Sequence, residues 1–324
     1  NNMQLYLEKE FIDEFIHLDF KNELVVDFYD ELIFKSTGYD LYTNFSEQEF
    51  YNKQLDNPLA RAIGEGTEEV SWNKSKKYFL DNKESTNKLL LVKNNIEPND
   101  FENISSENLL DKWRRYSPKL NFPLYTCTQD NESPEQSFSN WTDLNQICCH
   151  PLNEVIIHDK YILVDQFDQS IQKNLMPMLK EFRKMASNTL KIKIITLRKE
   201  IMTDERYNRF RKISHNLSIQ EKVSHIKDQI ENSIENCTLE IYVRDKTTHD
   251  RLILTNLFLI KRAAGLNIFD GSNEIRDISE IDTHFIFLST YCKPSKIRRN
   301  KIDQIINSSE RIDTKDGNLE TYTS

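Results

Sequence analysis

The chain has 324 residues, with 43 Lys and Arg against 52 Asp and Glu and a net charge of −9. That length suits two domains of ordinary size, and the total charge argues against indiscriminate DNA coating. An apolar content of 38% excludes a wholly disordered chain, and only six glycines exclude collagen-like sequence. The pairs Gly64/Gly66 and Gly265/Gly271 fit neither a dinucleotide fingerprint nor a Walker loop.

The charge is unevenly spread. Residues 1–120 hold 15 bases and 23 acids, residues 121–150 hold four acids and no base, and residues 151–324 hold 28 bases and 25 acids. This asymmetry predicts an acidic α/β domain over 1–120, a Pro-, Asn- and Ser-rich linker over 121–150, and a second α/β domain over 151–324. No apolar run approaches the ~18–20 residues needed to span a bilayer, and Asn1-Asn2-Met3-Gln4 does not read as a secretory signal. The five cysteines contain no CxxC pair, and the adjacent Cys148-Cys149-His150 is poorly spaced for zinc. The expectation is a cytoplasmic protein without a membrane span, a metal or a small-molecule cofactor.

In chain order, Leu5–Leu7 reads as a strand. Leu24, Val25, Phe28, Leu32 and Ile33 recur at helical spacing over Glu23–Phe34, with Gly38 as a C-terminal cap. Tyr39–Thr43 is a strand. Ser46 and Glu49 form a capping box that predicts a helix through Ile63. Val70–Trp72 and Leu89–Val92 are strands, and Ser105–Arg115 is a helix. The order is β/α alternation, which predicts a layered domain with a partly parallel sheet. In the second half, Glu154–Val164 reads as a strand, Ser170–Met185 as an amphipathic helix and Leu190–Leu197 as a strand. Asp204–Asn236 reads as one long helix or a pair. Leu239–Val243, Arg251–Leu254, Leu257–Ile260 and His284–Leu288 complete the sheet.

The stretch His249-Asp-Arg251-Leu-Ile-Leu-Thr-Asn256 carries the chemistry. Residues two apart on a strand share a face, so a histidine there has a cation beside it. A histidine can attack a phosphodiester, a cation holds the phosphate oxygens, and a second histidine must protonate the leaving group. The stretch resembles the phospholipase D superfamily signature, H-x-K-x-x-x-x-D, with Arg251 in place of lysine and Asn256 in place of aspartate. Arginine still binds phosphate as a bidentate fork, but asparagine cannot supply the family's carboxylate. His158-Asp-Lys160-Tyr-Ile-Leu-Val-Asp165 matches the signature at every fixed position, yet it opens the domain, where the family has its first strand. Some relatives carry an aspartate-aromatic pattern on that strand, to which Asp159 and Tyr161 would correspond.

From Glu154 to Leu288 the element order resembles single-copy phospholipase D-like domains, above all the type at the C-terminus of MIT proteins. The turn Gly265-Leu-Asn-Ile-Phe-Asp270 belongs to that resemblance, and it implies binding rather than hydrolysis. The first domain loosely resembles PIN-like nucleases, which would need Glu8, Asp27, Glu65 or Asp81 around a divalent cation. Lys296, Arg298 and Arg299 form a further basic cluster, suited either to phosphate or to an ordinary charged helix.

Two readings stay open. One is a phosphodiesterase or nuclease with His249, Arg251 and Asn256 at its site, either as a homodimer pairing two His249 residues or with His158, Lys160 and Asp165 completing it. The other is a catalytically inactive module that binds nucleic acid, a phosphorylated ligand or a partner protein. By analogy, the pairing of such domains suggests bacterial antiviral or nucleic-acid maintenance work.

Overall fold

The computed structural model describes residues 3–34, 39–82, 85–96, 101–116, 124–126, 137–144, 151–163, 170–202, 218–246, 251–270, 275 and 280–312. The expected α/β class holds. Two sheets are present, one of five strands and one of nine.

The first sheet comprises β1 (Met3–Leu7), β2 (Tyr39–Thr43), β3 (Glu69–Ser71), β4 (Lys88–Val92) and β5 (Glu102–Ser105). All pairings are parallel, in the order β3-β2-β1-β4-β5. Strands β1, β2 and β4 are buried along their whole length. A parallel sheet has helices on both faces, so its central strands read as unbroken apolar runs. Helices α1 (Lys9–Phe15), α2 (Glu23–Phe28, continued by a π-helical turn over Tyr29–Phe34) and α6 (Leu109–Tyr116) surround an aromatic cluster. In it Phe28 meets Trp113 edge-on at 5.1 Å, and Trp113 Nε1 donates to the Asp27 carboxylate at 3.2 Å.

The expected helix from Ser46 to Ile63 is two helices. The capping box of Ser46 and Glu49 opens α3 (Glu47–Asp56), but Pro58 lacks an N–H and forces Asn57 into an extended conformation. Asn57 then caps α4 (Pro58–Gly66), accepting from Leu59 N at 2.9 Å and Ala60 N at 3.1 Å. Helix α5 (Lys76–Asp81) precedes β4. The expected helix from Ser105 starts only at Leu109, because Glu102–Ser105 forms the edge strand β5. Gly38 lies outside the described residues.

The second sheet has the order β14-β10-β9-β8-β11-β12-β13-β6-β7. Strands β8 (Glu154–His158), β9 (Leu190–Leu197) and β10 (Cys237–Arg244) run parallel. Strands β11 (Leu252–Thr255), β12 (Phe258–Lys261) and β13 (Glu280–Phe285) follow in antiparallel sequence. Strand β14 (Glu310–Ile312) adds antiparallel to β10. Helices α7 (Met176–Lys184), α8 (Arg198–Met202) and α9 (Ile219–Ser233) belong to this half, and α10 (Ser289–Asn307) precedes β14. Part of the expected linker is folded: β6 (Leu124–Thr126) pairs with β13, β7 (Ser137–Phe138) pairs with β6, and Trp141 packs on Phe138 and Phe269.

Helix α10 ties the halves together. Cys292 Sγ lies 3.5 Å from Met3 Sδ, and Lys296 Nζ pairs with Glu68 at 2.5 Å. Within the second half Arg299 pairs with Glu154 at 2.6 Å, and Glu154 in turn accepts from Thr86 Oγ1 of the first half at 2.9 Å. Buried apolar residues of both sheets form one contiguous cluster, so the packing does not display the expected separation at 121–150. Among the described residues no helix is long and apolar enough to cross a membrane.

Candidate functional site

The parallel strands β8, β9 and β10 end along one edge of the second sheet. The chain proceeds from β8 to β9 on one side, while β11 occupies the other side. Because β9 runs parallel to β8 and β11 antiparallel to it, the carboxyl end of β8 meets the amino end of β11. Leu252 of β11 stands opposite His158, the last residue of β8. Arg251 is therefore set beside Asp159, one residue beyond the paired strands.

Strand β8 stops earlier than its apolar pattern predicts. The Asp159 carboxylate accepts from Tyr161 N at 2.8 Å and closes an Asx turn. Its other oxygen accepts from Leu266 N at 2.8 Å. Asp159 is 1% exposed. Burial pushes its carboxyl pKa up, against the opposing pull of the two backbone N–H groups and of Arg251 and Lys160.

Arg251 is half-buried, and its Nη1 donates to Ala263 O at 3.0 Å. Its guanidinium carbon lies 5.5 Å from the Tyr161 ring centroid, and Lys160 Nζ lies 4.5 Å from the same centroid. Both contacts are within cation–π range. The turn after β12 completes the cluster. Gly265 has φ +96°, and a Cβ there would sit 3.2 Å from both Arg251 Nη1 and an Asp159 carboxylate oxygen. Only glycine accommodates that backbone without strain. Buried Arg262 braces the turn by donating to Gly265 O at 2.5 Å. Thr196 Oγ1 donates to Lys160 O, and Asn267 Nδ2 to Tyr161 O, each at 3.2 Å.

The sequence-derived site residues divide. Lys160 and Arg251 come together, with Asp159 and Tyr161 between them. His158 does not join them. It is 3% exposed and shares its face of the sheet with Leu252, whereas strand alternation directs its neighbour Asp159 to the opposite face. Asn256 lies past the other end of β11, ~16 Å from Arg251 at a normal strand rise. Its amide is fully buried, accepting from Asn153 N at 3.0 Å and donating to Pro151 O at 3.2 Å. Asn256 thus anchors the chain entering β8. His249 and Asp165 lie outside the described residues.

The expected phosphate contacts on α10 are corrected in two of three cases. Arg299 is 1% exposed and held by Glu154, with Asp303 at 3.4 Å, and Lys296 is paired to Glu68. A buried guanidinium needs a carboxylate, and here the protein supplies it. Arg298 is half-buried and has no ion pair among the described residues.

The four carboxylates suggested by the PIN-like resemblance do not converge. Glu8 accepts from Lys93 N at 2.7 Å, Asp27 is buried against Trp113, and Glu65 and Asp81 are exposed on α4 and α5. Among the described residues no group of three His, Cys, Asp or Glu side chains could hold a metal ion. The contributions of Arg262 and Ala263 escaped sequence reading, since a backbone carbonyl acceptor and a buried brace carry no motif.

The fold and this cluster define an α/β protein with two cations gathered on one aromatic ring at the carboxyl end of β8 in its larger sheet. No protein-family model matches the chain, and no curated protein matches it in sequence.

Proposed function

We propose that the chain is a phosphate-directed recognition protein that binds nucleic acid through a degenerate phospholipase D-like site built from Lys160, Tyr161 and Arg251. The observation that carries this reading is the pair of cations, Lys160 in the turn after β8 and Arg251 at the start of β11, both within 5.5 Å of the Tyr161 ring. Arg251 spends one N–H on Ala263 O and keeps the rest of its fork for phosphate oxygens. Tyr161, half-buried, offers an aromatic edge beside them. Binding is favoured over hydrolysis because Asn256, which replaces the family's carboxylate, is committed to Asn153 and Pro151, and His158 faces away from Arg251.

Fluorescence anisotropy with labelled single- and double-stranded DNA and RNA tests the reading. Binding should weaken steeply between 50 and 200 mM salt, and Arg251→Gln or Lys160→Gln should each lower affinity ~10-fold. Unchanged affinity in both variants would refute the site. Cleavage that His249→Ala abolishes would replace the binding reading with a catalytic one.

A further inference from the structure

A second cationic feature lies away from this site. Strand β9 carries Lys191 and Lys193 on one face, two residues apart, opposite Thr238 and Glu240 of β10. Between β9, β10, the edge strand β14 and helix α9 is an open groove of about 600 Å³, within the ordinary range of small-ligand sites. Lys227 of α9 and Arg311 of β14 bring its cations to four, against the two carboxylates Glu231 and Glu240.

The ion pairs are unevenly distributed. Arg311 Nη1 binds Glu240 at 2.7 Å, and Lys193 binds the buried Glu154 at 2.9 Å. Lys227 stands 3.9 Å from Glu231, at the edge of contact. Lys191 is exposed and has no ion pair among the described residues. Lys193 is balanced by Glu154 and Arg311 by Glu240, so Lys191 and Lys227 face Glu231 alone and one positive charge remains unbalanced within the lining. A phosphomonoester carries about −1.5 to −2 at neutral pH.

We infer that this groove binds a small molecule bearing a phosphomonoester, with Lys191 and Lys227 as the cations that take the phosphoryl oxygens. The Thr238 hydroxyl supplies a neutral donor on the same wall. Cys237, half-buried in the lining, is a built-in reporter of occupancy.

Titration calorimetry on the full chain at constant ionic strength, with inorganic phosphate, adenosine monophosphate and glucose 6-phosphate, tests the inference. Adenosine and glucose serve as unphosphorylated controls. Saturable binding is expected for the phosphorylated probes alone. Lys191→Glu with Lys227→Glu should weaken it at least tenfold, while Lys180→Glu, an exposed charge reversal on α7, should leave it within twofold. A preference for adenosine monophosphate would assign the groove to nucleotides; equal affinities would assign it to the phosphoryl group alone. Alkylation of Cys237, followed by mass spectrometry of its peptide in the unmutated chain, should slow when ligand is present. This second readout does not depend on the folding of the double variant. Absence of saturable binding, affinity indifferent to the double variant, or unprotected Cys237 would each overturn the inference.

Discussion

Glu154→Gln tests the junction between the two sheets. Glu154 is 1% exposed at the start of β8. Its carboxylate accepts from Arg299 at 2.6 Å, Lys193 at 2.9 Å and Thr86 Oγ1 at 2.9 Å. Burial alone would raise its pKa, but the Arg299 and Lys193 charges and hydrogen bonds outweigh it and hold the group at about 2. The fall from 4.5 to about 2 corresponds to ~3 kcal/mol of native stability at neutral pH. Breaking a buried ion pair by removing one partner costs ~3–5 kcal/mol, a range that meets this figure. The folded-state pKa lies below the unfolded one, so the contribution is complete above about pH 4.5 and is lost as pH falls toward 2. Urea unfolding of both proteins at pH 7 and pH 2.5 reads the effect. The variant should be ~3 kcal/mol less stable at pH 7, and the difference should largely vanish at pH 2.5. Equal stability at pH 7, or a deficit that does not change with pH, would refute the reasoning.

Asn256→Asp introduces the aspartate of the phospholipase D signature that this stretch resembles, yet it should destabilise by ~3 kcal/mol, because it buries a charge and turns a carboxylate oxygen toward Pro151 O; thermal melting and a phosphodiesterase assay should find a lower midpoint and no hydrolysis. Gly265→Ala at φ +96° should cost ~1–2 kcal/mol and displace Arg251. Urea unfolding reads the loss, and oligonucleotide anisotropy should show weaker binding. Asn57→Ala removes the acceptor for Leu59 N and Ala60 N and should cost ~1 kcal/mol by urea unfolding.

Much of the fold was legible because its signals are local. The capping box at Ser46 and Glu49, the alternation over Leu190–Leu197 and the hairpin of β11 and β12 follow from residues a few positions apart. Strand β5 escaped because Glu102-Asn103-Ile104-Ser105 is mostly polar. Glu102 is nonetheless fully buried, since Lys112 of α6 reaches it, and such a partnership leaves no periodicity. Likewise Phe138 and Trp141 lie in a stretch whose composition reads as linker, but Phe269, far along the chain, receives them.

The sequence by itself determined the α/β class, most strand positions and the residue types at the candidate site, since hydrophobic period, proline and capping chemistry act within a turn or two of chain. Tertiary structure decided which of those residues meet. Cross-strand register sets Arg251 beside Asp159 and turns His158 to the other face, and a one-residue slip would have reversed both. Packing of α10 consumed Lys296 and Arg299 in ion pairs, because charges brought out of water at an interface must find partners there. The same helix joined two halves that differ in charge and composition into one core.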